Sequence, residues 1–111
     1  MMELIKLTEE IYRIAKAIDQ EKKELESMAK DKAAAERDYR MALAKAIFKL
    51  KADGYAATLI SDLSRGEAAE LKFTRDLADA VFTAKRESLQ ASLANLTALQ
   101  SILRIQREVA E

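Results

Sequence analysis

Histidine, cysteine, proline and tryptophan are all absent from the 111 residues, and only two glycines occur, Gly54 and Gly66. Each absence closes off a chemistry or a structure. Without histidine the chain lacks the commonest general base and the usual imidazole ligand of transition metals. Without cysteine it has no thiol nucleophile, disulfide or thiolate metal site, and the composition fits a reducing cytoplasm. Phosphate-cradling loops need several glycines close together before a helix, and Gly54 and Gly66 stand far apart. A serine nucleophile has no histidine to activate it, and no serine–lysine pairing stands out. Glu67 with Glu70, and Asp76 with Asp79, are acidic pairs three apart on one helical face. Di-iron bundles add a histidine to each such pair, so these acids read as solvated. We expect no enzyme activity, no cofactor and no metal.

A surplus of charge of one sign is also missing: 19 Lys and Arg balance 19 Asp and Glu, so the molecule as a whole has no long-range attraction to DNA, RNA or an anionic membrane. Long apolar runs are missing too. The longest uncharged stretch, Ser88 to Leu103, is rich in Ser, Thr, Asn and Gln and falls short of the ~20 mostly apolar residues a membrane span needs. The amino terminus lacks the basic region and apolar run of a secretory signal, so a cytoplasmic protein with no membrane association is expected.

What is present is helix-forming sequence. Half of the residues are hydrophobic, which calls for folding, but many are alanine and only six residues are aromatic, so a single copy has little bulky core material. Leu4, Leu7, Ile11, Ile14, Ile18, Leu25 and Met28 fall on alternating steps of three and four, a coiled-coil seam interrupted by Glu21. Beyond Ala33 the stripe widens to Tyr39, Leu43, Ala46, Ile47 and Leu50. Gly54 closes this first helix. Thr58 caps a short corner helix whose Leu59, Ile60 and Leu63 plug the turn and which Gly66 stops. A last helix starts near Glu67, with Glu67 and Glu70 in its first turn and Arg104 and Arg107 in its last.

The expectation is one all-α domain: a long antiparallel, coiled-coil-like helical hairpin with helices over about 3–53 and 67–110 and a corner helix over about 57–65. The apolar residues of the last helix exceed what one partner helix can bury. Self-association therefore explains the uncharged stretch, through an interface of Leu89, Ser92, Leu93, Asn95, Leu96, Leu99, Ile102 and Leu103.

Arg37, Arg40, Lys45, Lys49 and Lys51 make one locally basic region, joined at the corner by Arg65. They are candidate contacts to a partner or to nucleic acid. A solvated helix face accounts for them more simply, and nucleic-acid contact is not the favoured reading.

The block Asp38-Tyr39-Arg40-Met41-Ala42-Leu43-Ala44-Lys45, the segment Ala57-Thr58-Leu59-Ile60-Ser61-Asp62-Leu63-Ser64-Arg65-Gly66, and Thr74-Arg75-Asp76-Leu77-Ala78 resemble a family of small helical proteins from the early region of temperate phages of Gram-positive bacteria. The resemblance covers residues 36–110; the first 35 match only as generic coiled coil. It implies a non-enzymatic recombination or replication accessory, in the cytoplasm of an infected host, that oligomerises and binds or modulates a phage exonuclease or annealing protein. Direct DNA binding through 37–51, inhibition of a host nuclease in anti-defence, and a structural scaffold are the alternatives. The resemblance also draws together Tyr39, Arg40, Asp62, Arg65, Arg75 and Asp76 as a network where the corner meets the two helices, which would fix the corner by ion pairs.

Overall fold

With no proline to interrupt it and strong helix formers throughout, the chain folds as helix over nearly all its length. The computed structural model describes residues 3–110. It holds α1 (Leu4–Ala52), α2 (Ala57–Glu67) and α3 (Ala69–Ala110), and no strand occurs among the described residues. The all-α expectation holds.

α1 ends where a left-handed residue becomes necessary. Gly54 has φ +82°, the Tyr55 N–H donates to the Leu50 carbonyl at 3.1 Å, and the Gly54 N–H donates to the Lys51 carbonyl at 3.1 Å. These two bonds make a Schellman closure with Gly54 as its left-handed residue.

The second glycine behaves otherwise. Gly66 does not stop α2 but lies inside its last turn, and the break falls at Ala68. The Ala68 N–H donates to the Ser64 carbonyl at 3.1 Å, and its own carbonyl accepts the Lys72 N–H at 2.9 Å. One residue thus ends α2 and opens α3, so no left-handed residue is required there. Glu67 accordingly closes α2 instead of starting α3, whose first turn holds Glu70. The expected Thr58 cap is also displaced: Ala56 is the N-cap of α2, with no side-chain hydrogen bond. Ala56 is extended, its carbonyl accepts the Leu59 and Ile60 N–H groups at 2.9 and 3.2 Å, and the helix begins two residues earlier than a Thr58 cap would place it.

The two glycines should therefore respond oppositely to alanine. Neither has an atom within 4 Å of an added Cβ, so only backbone conformation decides. Gly54→Ala is expected to destabilise by about 1–2 kcal/mol, and Gly66→Ala to stabilise by about 0.5–1 kcal/mol. Urea titration followed by helical circular dichroism measures both.

The chain divides into two compact units, one formed by the chain up to Glu26 together with Thr83 onward, the other by Ser27–Phe82. In the first, Ile14 and Ile18 of α1 and Leu89 of α3 form the core, with Leu25, Leu96 and Leu99 packed against it. Leu7 is buried as well. The Lys85 ammonium donates to Glu24 at 2.6 Å. This contact holds the Glu24 carboxyl below its ordinary range and raises Lys85. Glu21, the seam interruption, keeps one buried carboxylate oxygen without a hydrogen-bond partner.

In the second unit the core is small-residued: Ala35, Ala46, Leu50, Ile60, Ser64 and Ala68 are buried. The expected plug of Leu59, Ile60 and Leu63 is only partly realised. Ile60 points inward with Ser64, one turn on, whereas Leu59 and Leu63, on the neighbouring stripe of α2, remain exposed.

Candidate functional site

Four of the six residues expected to meet at the corner do meet, through a residue the sequence did not single out. Glu36 of α1 accepts from Arg40 Nε at 2.6 Å and lies 3.5 Å from Arg75 Nε of α3. The Arg75 guanidinium stacks over the Tyr39 ring, 4.4 Å from its centre, and pairs with Asp76 at 3.0 Å. Lys72 donates to Asp76 at 2.9 Å, one helical turn away. Hydrogen bonding to Lys72 first, and to Arg75 second, holds the Asp76 carboxyl below its ordinary range, and Asp76 in turn raises Arg75.

Asp62 and Arg65 stand apart, paired only with each other at 4.0 Å and largely solvated. Their place on the outer turns of α2 keeps them out of the network, which corrects the expected six-residue cluster.

Next to the network, Lys32 bridges to Asp79 at 3.1 Å and lies 4.9 Å from the centre of the Phe82 ring. Lys32, Glu36, Arg75, Asp76 and Asp79 line a shallow depression of about 280 Å³. Each carboxylate there already faces a cation, so the site ties α1 to α3 through ion pairs. Among the described residues no group of three or more Asp or Glu side chains is placed to hold a metal ion.

The basic region is half neutralised. Arg37 donates to Asp38, Arg40 to Glu36, and Arg65 faces Asp62. Lys45, Lys49 and Lys51 have no ion pair among the described residues. Between them on the same face lies Phe48, 76% exposed.

The expected self-association interface does not form one face. Leu89 is buried in the core with Ile14 and Ile18, and Leu96 and Leu99 pack against that core. Ser92 and Leu103 are half-buried. Of the remaining three, Asn95 is fully on the outside, and Leu93 and Ile102 are exposed but stand nine residues apart, two and a half helical turns, on opposite sides of α3. Six of the sixteen residues from Ser88 to Leu103 are buried or half-buried within the single chain, and the other ten are exposed.

The unforeseen feature is in the Ser27–Phe82 unit. Phe73, Leu77 and Val81 recur every fourth residue on α3 and are 64%, 52% and 43% exposed. Met41 and Phe48 stand seven apart on α1 and are likewise outside. A helical-wheel reading was available: Phe48 lies two residues from both Ala46 and Leu50, about 200° around the helix from the buried stripe. Next to Leu77 and Val81 an apolar groove of about 240 Å³ is lined also by Met28, Asp31, Thr74 and Ala78.

No helix among the described residues is long and apolar enough to cross a membrane. No protein-family model, curated protein or solved structure matches the chain significantly.

Proposed function

We propose that the chain is a non-enzymatic helical interaction protein that self-associates and docks onto a DNA-processing protein, such as a phage exonuclease or annealing protein, to recruit or modulate it. One observation carries the reading: the Ser27–Phe82 unit buries Leu50 and Ile60 beside three alanines and a serine, while Met41, Phe48, Phe73, Leu77 and Val81 face outward. More large apolar residues outside than inside is the reverse of what an isolated helical unit needs, and exposed apolar patches of this kind mark protein contacts. The choice of a DNA-processing partner rests on the resemblance of residues 36–110 to early-region phage proteins.

Mixing the purified chain with a phage exonuclease or a single-strand annealing protein is expected to give a co-eluting complex on size exclusion and a changed nuclease or annealing rate. Separate elution with unchanged rates removes this partner class. A second reading, direct DNA binding, has the three unpaired lysines around Phe48 in its favour. It requires a mobility shift at low salt that Lys45→Glu, Lys49→Glu and Lys51→Glu together abolish.

A further inference from the structure

Within the Ser27–Phe82 unit the two exposed apolar stripes lie on different faces, one on α1 and one on α3. On α1, Phe48 is about 200° around the helix from buried Ala46 and Leu50. On α3, Arg75 points at α1, where it meets Glu36 and Tyr39, while Phe73 and Leu77, two residues to either side of it, are exposed. The α1 stripe thus sits on the back of its helix, whereas the α3 stripe runs from exposed Phe73 to Leu77 and Val81, which edge the apolar groove shared with Met28 and Asp31 of α1.

Their flanking charges are opposite. The α1 stripe runs among Lys45, Lys49 and Lys51, none of them ion-paired among the described residues. The α3 stripe is preceded by Glu70, and by Glu67 at the end of α2, both without ion pairs among the described residues, and the cations on α3 nearby, Lys72 and Arg75, are already held by Asp76 and Glu36. The lengths also correspond. Met41 to Phe48 and Phe73 to Val81 each cover about two helical turns, roughly 10–12 Å. Set antiparallel, Glu70 meets Lys49, Phe73 meets Phe48 and Lys45, and Leu77 meets Met41 and Ala44.

We infer that copies of this chain join head to tail, the back of α1 around Phe48 and Met41 in one copy seating on the exposed face of α3 around Phe73, Leu77 and Val81 in the next. This deepens the self-association half of the function proposed above by assigning it to two faces. Because the faces differ, the joint is heterologous: each copy keeps one free face of each kind, and the chain of joints closes into a ring or extends. Opposite charge on two faces of one sequence singles out a second copy as the occupant. The five exposed side chains offer on the order of 500 Å² of apolar surface per joint, at about 150–250 Å² for a whole aromatic. That is modest beside the ~1,200–2,000 Å² of stable interfaces, so assembly is expected to depend on concentration.

Light-scattering mass of the full chain, from micromolar to millimolar concentration, tests this with two variants. Phe48→Glu removes the α1 face and Leu77→Lys the α3 face; both positions are solvent-exposed in the single chain, so each variant should keep the helical circular dichroism of the parent. The wild type should grow in mass with concentration beyond a dimer. Each variant alone should remain a monomer, and an equimolar mixture should stop at a one-to-one dimer, because each variant retains the one face that the other has lost. A wild type that stays monomeric overturns the self-association reading itself. A wild type that assembles while either variant still assembles overturns only these faces, as does a mixture that stays monomeric. A monomeric wild type whose salt-sensitive binding to a single-stranded oligonucleotide is lost in Phe48→Glu reassigns the α1 face to nucleic acid.

Discussion

Replacing Leu89 with alanine is expected to lower the unfolding free energy by about 2–3 kcal/mol, a fall on the order of 10 °C in Tm, and to do so locally. Leu89 is 7% exposed and is the only α3 residue in the buried cluster with Ile14 and Ile18. Those two side chains have little else to bury against, since Leu25, Leu96 and Leu99 lie at the rim. The cost sits in the lower part of the range known for Leu→Ala because a rim open to water lets the site relax partly closed. Leu89→Asp should be far more damaging, as it places an unpaired charge in that cluster. Amide hydrogen exchange reads the locality: protection should fall first around Ile14, Ile18 and residues 86–99, and later at Ala46 and Leu50, which belong to the other compact unit. Uniform loss across both regions would show that the two units unfold as one.

The helices themselves were legible because helix is written locally. Period-three-and-four spacing put Leu7, Ile14 and Ile18 on one stripe, and all three are buried; Tyr39, Leu43, Ala46, Ile47 and Leu50 likewise face inward to differing degrees. Gly54 was legible for a local reason too, since the closure of α1 needs φ above zero. The corner was not. Gly66 invites a stop, yet a helix ends where its carbonyls find other partners, and Ala68 supplies the junction with ordinary φ −93° and ψ 6°. Nothing in the residue type of Ala68 announces that.

Side-chain partners across α1 and α3 were harder still, because they depend on register. Arg75 and Tyr39 were expected together and are, but Glu36 joins them only because it falls opposite Arg75 when the helices pair. The uncharged stretch shows the opposite error. Neutrality along a sequence says nothing of direction around a helix, and a segment whose residues spread around the whole circumference of α3 gives one face to α1 through Leu89, Leu96 and Leu99 and leaves Leu93 and Ile102 on opposite sides. Where large apolar residues stand off the buried stripe, as Phe48 and Phe73 do, the sequence held the signal in angular form.

Ala68→Leu is the complementary substitution, an added volume where the α2–α3 junction has none to give, and it should destabilise by about 1–3 kcal/mol. Ala68 is 1% exposed, as is Ser64 one turn before it, and the Ala68 N–H donates to the Ser64 carbonyl at 3.1 Å, so both small side chains are enclosed at the junction. The backbone at Ala68 is open to any residue, so strain in φ and ψ contributes nothing and the whole effect is steric. Ser64→Ala separates size from polarity. The Ser64 hydroxyl donates to the Ser61 carbonyl within its own helix, at 3.0 Å. Removing it takes away the donor only; the Ser61 carbonyl lies inside α2 and keeps its backbone partner there, and a methyl of nearly equal volume remains, so a change within about 1 kcal/mol is expected. Denaturant midpoints at unchanged slope measure both. Equal losses in the two variants would mean that the hydroxyl holds the corner, and a neutral Ala68→Leu would mean that the junction is loose enough to open around a leucine.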